Sequence, residues 1–285
     1  MVLKQTVLIS GGGSGLGTHM AVFMASQGYH VIICGRREDK LKEVQAMIKQ
    51  RYQDVECAYT VCDIRDTDAI ARMVDQLTEK YTINALINNA AANFLCPGEN
   101  LTPNGFNAIW TVVAQGTLFL TQALGKYWIQ NKMDGSVCSI STTYASGAGT
   151  FMVPSAMAKA AVEAMTRTLA VEWAKHKIRL NAVAPGFFPT KGAWSRLAPN
   201  MSEDQIQEKL TAYVPSGRYG EYEELTELVY FLLSPKNTYM TGEVITIDGG
   251  LSLAGSAGPF YHEFKQFTSD HWKTFREMSQ KRVEK

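Results

Sequence analysis

Ser155 and Lys159 stand four residues apart in Pro154-Ser-Ala-Met-Ala-Lys159, a spacing that brings both side chains to one face of a helix and lets them address one ligand. A serine hydroxyl is a far weaker acid than a phenol, whose pKa is about 10. Chemistry that needs a proton donor at this place must draw on another side chain. Tyr144, fifteen residues before Lys159 at the end of an expected strand, is the obvious replacement.

A second chemical signal lies near the start of the chain. Gly11, Gly12, Gly13, Ser14, Gly15, Leu16 and Gly17 follow the strand-like Thr6-Val-Leu-Ile-Ser10 and open a helical segment. Glycines there let backbone amides approach a pyrophosphate at the positive end of a helix with no Cβ in the way. An ordinary strand–helix turn uses glycine too, but Asn88-Asn89-Ala90 after the fourth expected strand and Pro185-Gly186 after the sixth favour dinucleotide binding. At the end of the second strand, where an NAD enzyme carries Asp or Glu for the ribose hydroxyls, the chain reads Cys34-Gly35-Arg36-Arg37. An arginine fork matches a phosphate that a carboxylate would repel, so Arg36 points to NADP(H), with two solvated arginines as the alternative. Glu38 and Asp39 suit the N-terminus of the next helix.

Short β-branched and apolar runs alternate with longer segments of helical period. Strands are expected at Thr6 to Ser10, His30 to Cys34, Glu56 to Cys62, Ala85 to Asn88, Ser136 to Ser141, Ile178 to Val183 and Glu243 to Ile247. Helices are expected at Leu16 to Gln27, Asp39 to Gln50, Thr67 to Lys80, Asn104 to Gln130, Pro154 to Lys175 and Glu223 to Leu233. Near-continuous apolar strands separated by amphipathic helices imply one α/β domain: a doubly wound, Rossmann-type parallel sheet with helices on both faces. Residues 1–250 form this unit. Within it, 187–201, rich in Pro, Gly and aromatics, follows a strand where α/β enzymes place substrate lids, and 251–285 is a C-terminal amphipathic extension expected to pack on the same domain or on another subunit.

Bulk properties exclude several classes. A net charge of +1 with dispersed Lys and Arg gives no footprint for nucleic acid. The five cysteines, Cys34, Cys57, Cys62, Cys96 and Cys138, form no tight metal-ligand pair, so free thiols in a reducing compartment and no metal site are expected. Strand-like sequence begins almost at Met1 and no apolar run reaches about 18 residues, which leaves no room for a signal or transit peptide and no stable membrane insertion, hence a cytoplasmic protein.

The Gly-rich start, Asn88-Asn89-Ala90 and Pro154 to Trp173 together resemble the short-chain dehydrogenase/reductase family. Members of that family assemble Asn, Ser, Tyr and Lys where this chain reads Gln115, Thr142, Ser155 and Lys159, so only the lysine is retained. One branch, the 2,4-dienoyl-CoA reductases, is similar through Asn88-Asn-Ala-Ala-Ala-Asn-Phe94, Ser141-Thr-Thr-Tyr144, Val153 to Lys159, Thr190 to Leu197 and the tail from Phe264 to Phe275. The resemblance implies that Asn93 and Tyr144 bind the oxygen of an acyl-CoA thioester, that Lys159 holds the nicotinamide ribose and that Ser155 supports the network. It further implies contacts of Asp63 with adenine, of Asn89 with the cofactor, and of Pro185, Gly186, Phe187 and Phe188 with the nicotinamide end. Arg65, Phe94, Thr102 and Arg196 would meet the acyl-CoA. A homotetramer acting in the β-oxidation of unsaturated fatty acids is implied as well, with a carbonyl reductase or an inactive NADP-binding scaffold as alternatives. Two residues depart from the branch: Gln115 stands where Asn is usual, and Ala92 replaces a glycine beside Asn93. Read alone, Tyr144 also fits a packing role, Asn93 a turn, and Ser155 the first turn of a helix after Pro154.

Overall fold

Val, Ile and Leu runs with few polar interruptions can be sheltered from water only when both faces of a sheet are covered, and such runs form the centre of this molecule. The computed structural model describes residues 5–188, 202–254 and 261–283. Its strands are β1 (Thr6–Ser10), β2 (His30–Gly35), β3 (Cys57–Val61), β4 (Ala85–Asn88), β5 (Gly135–Ile140), β6 (Ile178–Pro185) and β7 (Val244–Ile247). All pair in parallel, in the order β3-β2-β1-β4-β5-β6-β7. The order reverses between β1 and β4, and ligands of such sheets bind at that crevice, beyond the carboxyl ends of the strands.

The pleat divides the core. In β1, Val7 and Ile9 face one side with Met20, Met24, Val31 and Ile33, while Leu8 faces the other with Ile32, Leu86, Leu120 and Trp128. The first side is covered by α1 (Leu16–Ser26), α2 (Glu38–Arg51) and the helix Tyr222–Leu233; the second by α3 (Thr67–Thr78) and a long helix from Pro103 to Gln130. A third cluster joins Ile109, Val113 and Ala114 of that long helix to Ala158 and Val162 of the helix Val153–Trp173.

Where the sequence predicts one helix over 104–130, the structure has α4 (Pro103–Trp110), a π-helical turn at Thr111–Gln115 and α5 (Gly116–Gln130). Gly116 ends the irregular turn, and a Cβ there would lie 2.7 Å from the Ile64 carbonyl oxygen. The wider turn therefore coincides with a close approach to the loop after β3. Pro103–Gln130 is long and apolar enough to cross a membrane, contrary to the expectation that no run was, yet half of its most apolar window is buried inside the molecule. Ile109, Val113, Leu120, Leu124 and Trp128 of this segment are core residues. The helix Val153–Trp173 is α6. Next comes α7 (Glu203–Tyr213), unforeseen in the sequence although Ser202 and Gln205 form a capping box at its start. Tyr222–Leu233 is α8, followed by short α9 (Leu251–Ala254), α10 (Tyr261–Phe264) and α11 (Ser269–Val283). In this C-terminal part Phe264, Phe267, Trp272 and Phe275 pack with their rings edge-to-face or tilted, and Lys265 donates to the carbonyls of Ala212 and Val214.

Gly17 is the tightest point of the β1–α1 connection. A Cβ there would fall 2.2 Å from the Gly11 carbonyl oxygen, a backbone atom that cannot swing aside. Gly17→Ala should cost about 1–3 kcal/mol through overpacking, lowering the melting temperature by several degrees. A thermal unfolding curve checks this, and an unchanged midpoint would show that the connection relaxes freely.

Candidate functional site

Three consecutive elements bring the candidate residues together at the carboxyl end of the sheet. β5 ends at Ile140, and its continuation folds into a 3-10 turn, Thr143–Ala145, that carries Tyr144. α6 then returns with Pro154 in its first turn, placing Ser155 and Lys159 one turn apart, both buried. Asn93 comes from the irregular segment after β4. The Tyr144 and Ser155 hydroxyls lie 3.0 Å apart, and Asn93 Nδ2 donates to Tyr144 Oη across 3.4 Å. The same Nδ2 meets Met152 Sδ at 3.1 Å, while Asn93 Oδ1 accepts the Phe94 backbone N–H at 2.9 Å. Lys159 Nζ donates to the Ile140 carbonyl. The four residues expected to act together are thus neighbours in space.

The Asn93 amide and the Tyr144 hydroxyl thus stand side by side, the amide donating to the phenolic oxygen. When Ser155 donates to Tyr144, the phenolic proton is free for a bound oxygen; when Tyr144 donates to Ser155, it is not. In either direction Ser155 is a hydrogen-bond partner of the phenol. Among the described residues no group of three or more His, Cys, Asp or Glu is placed to hold a metal, and all five cysteines are free.

The glycine connection has the form of a phosphate cradle. Gly11 and Gly15 adopt positive φ, of 67° and 56°, and Gly15 is the N-cap of α1, which has no side-chain cap on its amides. Amides without an internal partner at a helix N-terminus suit the pyrophosphate of a dinucleotide. Asn89 ties this cradle to β4: its Nδ2 donates to the Ser10 and Gly11 carbonyls, and its own N–H reaches Ser10 Oγ. Arg37 Nη2 donates to Ser14 Oγ at 3.1 Å, so the second arginine of the pair is the one held on the cradle. The exposed Arg36 contributes to holding the Asp63 carboxyl below its ordinary range. The larger cause is Arg65, whose guanidinium and backbone N–H both donate to Asp63. Asp63 and Arg65, expected to meet two different ligands, adenine and the acyl-CoA, are an ion pair here.

Other expected contacts take structural places. Thr102 Oγ1 accepts the Gly105 N–H and caps α4. The ring of Phe94 packs beside Gly105 and against the α4–α6 cluster. Phe188, expected at the nicotinamide end, has its ring buried in the core against Gly220. Phe187 offers its carbonyl to the Gly220 N–H, and Gly186 lies so close to Asp248 that a Cβ would stand 2.7 Å from its Cβ. These contacts, with Pro185 pairing Ile247, set the course of the chain leaving β6. Gln115 lines a surface groove with Trp110, Ala161 and Met165, and no hydrogen bond joins it to the four central residues. Thr142 is buried beside Tyr144. Arg196 and most of the expected lid lie outside the described residues. Sequence reasoning missed Met152, for which no local signal exists, and Glu163, which the same four-residue spacing that joins Ser155 to Lys159 would have placed on their face.

Burial pushes Lys159 down to about 8. Below that pH the ammonium is charged both folded and unfolded, and its burial weighs fully against the fold. Between 8 and the ordinary 10.5 the unfolded chain holds more protons, so this group makes stability rise with pH. The buried thiols of Cys34 and Cys138, raised to about 12, pull the other way above their ordinary 9.0, so the lysine must be isolated by comparison. Relative to Lys159→Met, the wild type should gain unfolding free energy, at most about 3 kcal/mol, as pH rises from about 7.5 to about 10. Denaturant midpoints measure it, and a pH-independent difference would show that the ammonium is not desolvated.

A family model described as enoyl-(acyl carrier protein) reductase matches residues 11–252. The chain is 41% identical over 249 residues to a probable 2,4-dienoyl-CoA reductase of Bacillus subtilis strain 168, named as (2E)-enoyl-CoA-producing, covering 87% of this chain and 96% of that protein. It is 39% identical over 269 residues to a probable 2,4-dienoyl-CoA reductase of Caenorhabditis elegans, named as (3E)-enoyl-CoA-producing, covering 93% and 86%. Among solved structures, a short chain dehydrogenase from Bacillus anthracis matches with a TM-score of 0.77 at 41% identity, over 87% of this chain and 96% of that one. Levodione reductase matches with a TM-score of 0.83 at 29% identity, over 88% and 98%. With its parallel sheet, glycine cradle and buried helix lysine, the chain belongs to the short-chain dehydrogenase/reductase family.

Proposed function

We propose that this oxidoreductase is an NADPH-dependent 2,4-dienoyl-CoA reductase, converting 2,4-dienoyl-CoA to enoyl-CoA in the β-oxidation of unsaturated fatty acids. The observation that carries the proposal is the Asn93–Tyr144–Ser155 chain, in which a phenol is presented from a loop and a serine occupies the helix position. The names of the relatives favour the same substrate class. NADP(H), when bound, supplies hydride, which this reaction directs to C5 of the dienoyl thioester. Charge then passes through the conjugated system to the thioester oxygen. That oxygen requires donors fixed in advance, as an oxyanion hole provides them, and Asn93 Nδ2 and Tyr144 Oη are such a pair. Ser155 orients the phenol. Lys159 holds the ribose of the cofactor, the amides of Gly11 to Gly17 its pyrophosphate, and Arg36 with Arg37 its 2′-phosphate. Asp63 and Arg65 border the adenosine end, and a proton from water completes the product.

A simple ketone instead needs an acid beside the reacting carbon, which Ser155 is too weak to be. A cytoplasmic homotetramer belongs to the same proposal, supported by apolar side chains that the single chain leaves exposed: Leu118 on α5, Met157 and Val171 on α6, and Trp272, Phe275 and Met278 on α11.

Arg36→Ala should remove a charge-assisted contact of roughly 1.5–3 kcal/mol, weakening NADPH about 10- to 100-fold while leaving NADH nearly unchanged. Equal losses for both cofactors, measured by fluorescence titration, would take the phosphate away from Arg36. The purified protein should oxidise NADPH with 2,4-hexadienoyl-CoA and not with a 3-ketoacyl thioester, and product analysis would locate the remaining double bond. Tyr144→Phe should lower turnover by about 10²- to 10³-fold, the size of one oxyanion donor, with NADPH affinity intact. Ser155→Ala should do less. Normal turnover in Tyr144→Phe together with a dead Ser155→Ala would return the catalytic hydroxyl to the helix.

A further inference from the structure

Glu163 has no place in the reaction above, yet its carboxyl group is only 5% exposed. A buried polar group costs free energy unless it is hydrogen-bonded, so its partners show what it is for. Ser141 Oγ donates to Glu163 Oε1 at 2.7 Å, and the half-exposed Arg167 guanidinium lies 3.7 Å from Oε2. Positions 155, 159 and 163 follow one another at four-residue spacing and share one face of α6. Each grips a different point of the chain leaving β5: Ser155 the Tyr144 hydroxyl, Lys159 the Ile140 carbonyl, and Glu163 the Ser141 hydroxyl. Ser141 is three residues before Tyr144 and is also held from β6, its N–H donating to the Val183 carbonyl at 2.7 Å.

We propose that Glu163 is a positioning residue: through Ser141 it fixes the start of the turn that carries Tyr144, and so sets where the phenol stands against Asn93. This rests on the assignment of Tyr144 as a donor to the thioester oxygen. Packing alone does not require a carboxyl group here, since an apolar side chain would fill the same volume without needing a hydrogen-bond partner. What the carboxyl adds is direction at Ser141.

The test uses the full-length protein with NADPH and 2,4-hexadienoyl-CoA. Glu163→Met should lower kcat about 10-fold, short of the 10²-fold that a 1 Å misplacement can cost, with the Kd for NADPH unchanged. Glu163→Gln, whose amide oxygen still accepts from Ser141, should recover most of that loss, and Ser141→Ala should reproduce it. In a Tyr144→Phe background Glu163→Met should have no further effect on kcat, because no hydroxyl remains to be misplaced. A full 10-fold loss in that background, or an undiminished kcat in both Glu163→Met and Ser141→Ala, would overturn the proposal. If Glu163→Met fails to fold, the Ser141→Ala and Glu163→Gln pair decides by the same comparison. Absence of wild-type turnover would overturn the dienoyl-CoA assignment itself, whereas wild-type turnover indifferent to these variants would overturn only the role of Glu163.

Discussion

A buried ammonium donating to the last carbonyl of a central strand fixes α6 on the end of β5, and the rest of the candidate site is placed from that contact. Lys159 is 7% exposed, and burial pushes it down to about 8, so the arrangement opposes folding at neutral pH. Such a group persists where something else depends on its position. With Lys159 on Ile140, the turn of α6 before it brings Ser155 to Tyr144 and the turn after it brings Glu163 to Ser141. One helix face thus sets a strand end and the loop beyond it, and the loop carries the phenol.

The two halves of the site are held apart by the sheet. The cradle is pinned to β4 by Asn89 and Ser10, while the phenol and lysine belong to β5 and α6. β4 and β5 are adjacent, with Asn88 beside Ser139 in register, and Asn88 Nδ2 reaches both Ser139 Oγ and Thr121 Oγ1. A parallel pair in fixed register acts as a ruler. The strand ends from which cradle and donors depart are consequently kept in register by buried backbone pairing.

Features that depend on nearby residues were legible in the sequence. Strands buried on both faces appear as apolar runs, and all seven lie where those runs predict, with ends shifted by a residue or two. The order of motifs gave the parallel sheet, because glycine turn, helix and strand alternate along the chain. Features made by distant contacts were not legible. Nothing local to Phe188 announces that Gly220 leaves space for its ring, and nothing in the apolar period of 103–130 encodes the π turn where Gly116 passes Ile64. Thr102 is a different case: followed by Pro103, it carries a helix-start signal of its own, and it caps α4. The pairing of Asp63 with Arg65 was likewise local, two residues apart, and is masked in sequence when each is assigned to a separate ligand.

The substitution at 155 is best understood as a displacement of an acid by the length of one hydrogen bond. A phenol on α6 would put its oxygen where the helix presents it; serine leaves that place open and supplies a hydroxyl to which a phenol from the loop can attach at 3.0 Å. The acidic oxygen then lies farther from the helix and beside Asn93, which donates to it from the opposite chain segment. In reduction of a conjugated thioester the oxygen that gains charge is several bonds from the carbon that gains hydride, whereas in a ketone the two atoms are joined. Under the proposed dienoyl-CoA chemistry, moving the donor outward while keeping the lysine in place matches that difference in bond count. Under the proposed roles, the serine is a specification of substrate geometry as much as the loss of an acid, and the lysine keeps the cofactor half of the site common to both chemistries.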